Sequence, residues 1–557
     1  MTDTPLDDFA QIFGDRAGPT RKLGLVISGS LSKGLEVKLD ANAPLEDMAV
    51  GRYITIEGDR LKFFGMITDV ALDSTNPQIE KTPPDVSDPF LREVYAGTTV
   101  FGRLHVSPML VLDKTAQEPR PVKTIPGHFA AVRVATEEDV NMVFGAEDAQ
   151  HFHVGEPLDM ENVHVNLDLF RMVERSVGVF GKSGTGKSFL TRLLLAGAIQ
   201  RGAAVSLIFD MHNDYGWEVQ TEGRSKVKGL KQLFPQQVAI FTLDEESSRR
   251  RRVRPDSVVV IDQADIQPED LEMLRTTLDL SDNMIGAAYT LRRQWGRDWI
   301  KTLLEADSEI LKTLADETAV NRSSLDALIR RLDRITRFEF IRENWQGDSA
   351  KKILEHIEAQ KSVVLEFGRY GNSLEAYILV ANYLTRRVHE MYVQRVESAL
   401  GEAGQEPPQL LIVIEEAHKF LDPQIARQTI FGTIARELRK YNVTLLIVDQ
   451  RPSGIDEEVM SQIGTRVTAL LDNERDISAV LTGVSGAGAL REVLARLDTK
   501  QQAIILGHAV PMPVVIQTRT YDSNFYAAMG FRDEAELQAG RDKRVNLLRG
   551  QPETGID

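Results

Sequence analysis

The stretch GVFGKSGTGKSFLTRLLL, residues 178–195, decides the fold. A short apolar run, Ser176 to Phe180, leads into a glycine-rich loop, and a helix-like run, Ser188 to Gln200, leads out of it. Gly181, Gly186, Lys187 and Ser188 fit the spacing G-x-x-x-x-G-K-[ST], the strand–loop–helix cradle for phosphate. Glycines permit turns that aim successive N–H groups inward, and the helix start adds partial positive charge, so anionic oxygens are held without bulky side chains. The loop Gly181, Lys182, Ser183, Gly184, Thr185, Gly186, Lys187 and Ser188, with Phe189 behind it, is therefore predicted to bind nucleotide phosphates. Lys187 is expected to reach the β- and γ-phosphates, and the Ser188 hydroxyl to meet Mg²⁺.

Such a site needs carboxylates, and parallel sheets deliver them at the carboxyl ends of strands. In LLIVIEEAHKF an apolar run leads into Glu415 and Glu416. Glu415 is expected to hold the Mg²⁺ shell and Glu416 to polarise the attacking water. Gln450 ends the run VTLLIVDQ and is placed to sense the γ-phosphate or to position water. Arg436 and Arg439, three apart, share one face of the preceding helix. That face is either solvated and paired with Glu437, or it presents an arginine to a neighbouring subunit's γ-phosphate.

At 557 residues the chain exceeds one ordinary core. Residues 1–155 read as short β segments between Gly, Pro, Asp and Asn, among them KLGLVISGS, RYITIEG, KFFGMITDV, TTVFGRLHV and HFAAVRVA, and suggest a small barrel serving as adaptor or docking surface. From about 156 to 520 apolar strands alternate with helices, the pattern of an α/β domain with a mostly parallel sheet. Candidate strands are SVGVF, AVSLIFD, QVAIFTL, SVVVID, SVVLEF, QLLIVIEE and VTLLIVDQ. A polar, helix-periodic segment, about 267–349, reads as a helical insertion, and residues 521–557 as a helix and tail.

A hydrophobic fraction of 42% without a membrane-length apolar run, and a start lacking signal-peptide features, lead to the expectation of a cytoplasmic protein with no membrane partner. The absence of cysteine excludes disulfides, zinc–thiolate sites and thiol catalysis. Ten histidines without metal-ligand spacing add no metal beyond Mg²⁺. A net charge of −16 opposes a surface that coats nucleic acid but allows a local basic channel. The cluster SSRRRRVRPDS, residues 247–257, is either a solvated loop or one that meets a polyanion.

Together, GKSGTGKS, IFDMHNDYG, VIEEAHKF, IARELRKYNVTLLIVDQRPSGIDEEVMSQIGT and AIILGHAVPMPVVIQ resemble the HerA group of the HerA and FtsK superfamily over roughly residues 160–520. The resemblance implies a RecA-like P-loop ATPase domain behind an N-terminal β-barrel. It implies a homo-hexamer that binds ATP between subunits, translocates double-stranded DNA and works with a NurA-type nuclease in end processing. It also implies arginines acting across the interface: Arg439 lies in the matching RELRK element, and Arg175 just before the first ATPase strand. Two departures stand out: Arg175-Ser176 where the family has Arg-His, and Asp210-Met211-His212-Asn213-Asp214-Tyr215 where it has Asp-Pro-His-Gly-Glu-Tyr. An antiviral defence complex organising a nuclease or other effector, and a nucleotide-controlled scaffold, remain alternatives on the same residues.

Overall fold

The computed structural model describes residues 22–532, apart from 86, 96–97, 113–118, 159, 161, 221–225, 319, 402–405, 428, 438–439, 485–486 and 499–500. The chain forms two compact units, residues 1–167 with 481–518 and residues 168–480 with 519–557. Among the described residues no helix is long and apolar enough to cross a membrane.

In the first unit, strands β1 (Lys22–Ser30), β2 (Gly34–Leu39), β3 (Tyr53–Glu57), β4 (Lys62–Ser74), β5 (Val100–Leu112), β6 (Arg120–Pro121) and β7 (Ala131–Val134) form one antiparallel sheet. Six of them close into a barrel in the order β2-β1-β7-β3-β4-β5, and β5 returns to β2 with Val37 opposite Leu104. Alternate side chains turn inward: Val37, Ile54, Ile56, Leu104 and Val106 are fully buried. The sequence reading lacks β2, the strand that closes the ring. Its GLEVKL carries no apolar run, only Leu35, Val37 and Leu39 alternating with Glu36 and Lys38. Where β4 bends against β5, a Cβ on Gly65 would stand 2.4 Å from the Ser107 carbonyl oxygen, so only glycine fits the bulge.

After the barrel comes β8 (His151–Pro157). The second unit then builds β9 (Val177–Phe180), β10 (Val205–Asp210), β11 (Val238–Thr242), β12 (Ser257–Val258), β13 (Ser362–Glu366), β14 (Leu410–Glu415), β15 (Val443–Asp449) and β16 (Thr465–Thr468). All eight run parallel, in the order β12-β11-β13-β10-β14-β15-β9-β16. Central strands such as LLIVIE are buried on both faces, which is why they read as continuous apolar runs.

Residues 481–518, read from sequence as part of the ATPase domain, group with the first unit. Their strands β17 (Gln502–Gly507) and β18 (Val514–Thr518) form an antiparallel pair. β18 continues onto β8, and the Val515 N–H donates to the buried Tyr53 hydroxyl at 3.2 Å.

The run SVVVID also departs from expectation. Ser257–Val258 joins the sheet, whereas Ile261–Asp262 pairs with Ile341–Arg342 in a separate parallel ribbon. Asp262 thus caps a turn, accepting from the Ala264 N–H at 3.0 Å, and does not end a sheet strand. The two ribbon strands bracket the helical insertion, whose helix Arg322–Thr336 buries Leu325, Leu328, Leu332 and Ile335 along one face.

Three further helices matter for the site: α1 (Lys187–Arg201), α2 (Leu374–Gly401) and α3 (Ile430–Glu437). In the insertion's first helix, Pro268–Glu272, the fully buried Asp270 accepts from Asn382 Nδ2 and Arg386 Nη2 of α2, both at 2.8 Å.

Candidate active site

The buried side chains of β9 hold its end rigid, and the chain turns out of the sheet at Gly181. Gly181, Gly184 and Gly186 take φ of +152°, +79° and +91°, a region that side chains disfavour. The loop is pinned from both sides: the Lys182 N–H donates to the Leu470 carbonyl at 3.1 Å, and the Thr185 hydroxyl to the Lys182 carbonyl at 2.8 Å. Lys187 Nζ donates to the same Lys182 carbonyl at 2.8 Å. Burial lowers the pKa of the Lys187 ammonium, opposed by the charges of Glu416, Asp449 and Glu415, so loop and carboxylates face each other electrostatically. Ser188 occupies the first turn of α1. Phe189 is exposed beneath the Arg192 guanidinium, 5.4 Å from its ring centre. Arg192 Nε donates to the Asp214 carbonyl at 2.8 Å, tying α1 to the segment after β10.

Glu415, at the end of β14, is buried. Its Oε1 accepts from the Tyr215 hydroxyl at 2.8 Å, while Oε2 is a buried oxygen without a hydrogen-bond partner among the described residues. The Tyr377 hydroxyl of α2 donates to the Glu415 carbonyl and accepts from its N–H, each at 2.9 Å, fixing the strand end. One strand away, Asp210 accepts from the N–H groups of Asp214, Tyr215 and Gly216 at 2.6, 2.8 and 3.2 Å. Burial pushes Glu415 up to about 7; the Tyr215 bond opposes this, and Asp214 and Glu416 add to it. Burial, with the Glu415 charge next, pushes Asp210 up to about 7 as well. A buried Glu415 oxygen without a hydrogen-bond partner among the described residues, within the field of Lys187, suits a hard cation such as Mg²⁺, which takes oxygen ligands.

Glu416 leaves the strand in a left-handed conformation, φ 50° and ψ 46°. Its Oε1 accepts from Gln450 Nε2 at 3.0 Å. On β15 the buried Asp449 accepts from the His418 and Arg451 N–H groups, each at 2.6 Å, and from His418 Nδ1 at 2.9 Å. The phosphate loop, Glu415, Glu416 and Gln450 thus meet at the carboxyl edge of the sheet.

Arg175 and Arg436 are not brought there. Arg175 is exposed just before β9, and Arg436 sits in the last turn of α3, which leads toward the start of β15. Both therefore lie toward the amino edge of the sheet, the far end from this chain's own loop; Arg436 Nη2 donates to the Arg427 carbonyl at 3.3 Å. Arg439 lies outside the described residues.

The arginine cluster divides. Arg249 and Arg250 lie one helical turn from Glu245 and Glu246, at 3.5 and 3.9 Å, on an exposed face. Arg251 forks onto both oxygens of Glu366, fully buried at the end of β13, and so is structural. In the first unit Glu147, His153 and His164 bring ligand atoms within 4.8 Å of one another. The two imidazoles stack at 3.8 Å and 13°, so their lone pairs lie in separate parallel planes and do not converge on an ion.

Asp210, Tyr215, Tyr377, His418 and Asp449 escape the sequence-predicted site. The available signals were weak: Asp449 immediately before Gln450, and His418 two residues after the acidic pair.

An eight-stranded parallel sheet with this loop after β9 and paired carboxylates after β14 defines a P-loop ATPase. Residues 152–388 match the family described as Helicase HerA, central domain. The chain is 26% identical over 498 residues to the DNA double-strand break repair helicase HerA of Sulfolobus acidocaldarius, covering 87% of this chain and 91% of that protein. To the protein of the same name from Pyrococcus furiosus it is 25% identical over 418 residues, 69% of this chain and 71% of the other. Among solved structures, VirB4 of Thermoanaerobacter pseudethanolicus aligns with a TM-score of 0.45 and 15% identity, over 68% of this chain and 99% of that one. Residues 152–388 are thus similar to the HerA central domain, and the fold and site make the chain a P-loop ATPase, an enzyme that hydrolyses ATP.

Proposed function

We propose that this protein is an ATP-driven double-stranded DNA translocase or helicase that works as a homo-hexameric ring with a nuclease of the NurA type, or another effector subunit, in DNA end processing. The names of its relatives support action on DNA, since the chain resembles repair helicases over most of its length. The observation that carries the catalytic part is Glu416, held by Gln450 opposite Lys187.

In this reading, loop N–H groups and Lys187 hold the β- and γ-phosphates of ATP, while Ser188 and Glu415 hold Mg²⁺. The ion supplies charge neutralisation on the phosphate oxygens. Glu416 polarises a water and takes its proton as the oxygen bonds to the γ-phosphorus and the bond to the β-phosphate oxygen breaks. Gln450 orients that water or reports the γ-phosphate. A neighbouring subunit completes the site, with Arg439 as first candidate, Arg175 as second and Arg436 beside them. The placement of Arg175 and Arg436 toward the amino edge of the sheet, away from this chain's own loop, suits action in trans.

Electron microscopy of the full chain with duplex DNA and a non-hydrolysable ATP analogue tests the assembly. Six-fold rings with DNA through the pore are expected. Monomers under these conditions, or rings that exclude duplex, would contradict it.

A further inference from the structure

We propose that His418 and Asp449 are positioning residues that hold Glu416 in its reactive pose, an inference that rests on Glu416 activating the water. Glu416 adopts left-handed backbone angles without being glycine, asparagine or aspartate, so its neighbours must hold it there. Three contacts do so. The Lys419 N–H donates to the Glu416 carbonyl at 2.8 Å, closing a tight turn. The His418 backbone N–H and ring Nδ1 both donate to Asp449, at 2.6 and 2.9 Å. Asp449 is itself fixed at the end of β15, where its other oxygen accepts from the Arg451 N–H at 2.6 Å.

The brace therefore joins two adjacent parallel strands just beyond their carboxyl ends. It pulls the turn after β14 toward β15 and sets Glu416 beside the residue that follows Asp449, Gln450. His418 Nδ1 stands 3.7 Å from Glu416 Oε2, too far for a hydrogen bond, so His418 acts on Glu416 through the turn and not by direct contact. The turn Pro452–Gly454 leaves room for the ring: a Cβ on Gly454 would press on the His418 Cβ at 3.3 Å.

Glu416, His418 and Asp449 also bring ligand atoms within 4.8 Å, which invites a metal assignment. Each oxygen of Asp449 already accepts from a backbone N–H, and Nδ1 is turned to the same carboxylate. A cation there would have to break the brace, and the geometry points to positioning.

The test is steady-state ATP hydrolysis by the full chain in four forms: His418→Ala, His418→Asn, Glu416→Gln and the double variant His418→Ala/Glu416→Gln. His418→Ala is expected to lower kcat about 10- to 100-fold with KM changed less than about threefold, because a misplaced base slows chemistry without loosening the phosphate loop. His418→Asn carries an amide donor near the place of Nδ1 and is expected to recover kcat to within about fivefold of wild type. In the Glu416→Gln background, His418→Ala should add no further loss, since it acts only through the missing carboxylate. Unchanged kcat in His418→Ala, no recovery in His418→Asn, or a full additional loss in the double variant would each overturn the proposal. Wild-type turnover in Glu416→Gln would instead remove the base assignment beneath it, which separates the two failures.

Discussion

In the proposed mechanism Lys187 and the two glutamates carry separable tasks. Lys187→Ala removes the charge beside the loop carbonyl, and loss of nucleotide binding or turnover is expected; undiminished ATPase in the purified variant would refute the site. Glu416→Gln keeps size and removes the carboxylate, so ATP should still bind while turnover falls by orders of magnitude. If Glu415→Gln did this and Glu416→Gln did not, the two roles would be exchanged. Glu415 also predicts a pH dependence. Between its ordinary 4.5 and about 7, the folded chain keeps a proton that the unfolded chain releases. Its burial thus favours folding below 4.5, and that contribution is lost as pH rises through about 7. Mg²⁺ must displace the same proton, so Mg²⁺–nucleotide affinity, read by calorimetry, is expected to weaken from pH 8 to pH 6. Affinity flat across that range would contradict the role of Glu415. The adjacent glutamates were legible because they follow an apolar run in the expected place. His418 and Asp449 were not, because their bond spans 31 positions and exists only once β14 and β15 lie side by side.

Helix Pro268–Glu272 and α2 are joined by a buried ion pair, Asp270 with Arg386, at 0% and 10% side-chain exposure. Replacing Arg386 with Ala leaves Asp270 charged and unpaired inside, so a loss of about 3–5 kcal/mol is expected in denaturant unfolding, largely relieved when Asp270→Asn and Arg386→Met are combined. A loss below about 1 kcal/mol would show that the pair does not tie the insertion to the sheet unit. The same elements show what patterning can and cannot reveal. Strands such as LLIVIE announce themselves because both faces are covered. β2 does not, because only alternate side chains enter the barrel. In SVVVID the composition is that of one strand, but hydrogen bonds to two different partners divide it. The join of residues 481–518 to the first unit depends on pairing of β18 with β8, more than 350 residues earlier in the chain, which no local pattern encodes.

For the whole molecule, a net charge of −16 means that DNA can be gripped only where basic groups converge, as when a ring repeats one loop around an axis. Arg251 is withdrawn from that role by Glu366, which leaves Arg249 and Arg250 as the exposed helical members of the cluster. Action of Arg439 in trans predicts complementation: Arg439→Ala chains that still bind ATP, mixed with Lys187→Ala chains, should regain partial activity that neither has alone. Activity strictly proportional to each chain would count against a shared site. The central claim, that ATP hydrolysis here is coupled to duplex DNA, is tested most directly by steady-state ATPase of the full chain with and without duplex across a salt series. Duplex is expected to raise wild-type turnover, with the stimulation shrinking steeply as salt rises and absent in Glu416→Gln. Hydrolysis that is robust yet indifferent to duplex DNA at every salt concentration would contradict the account.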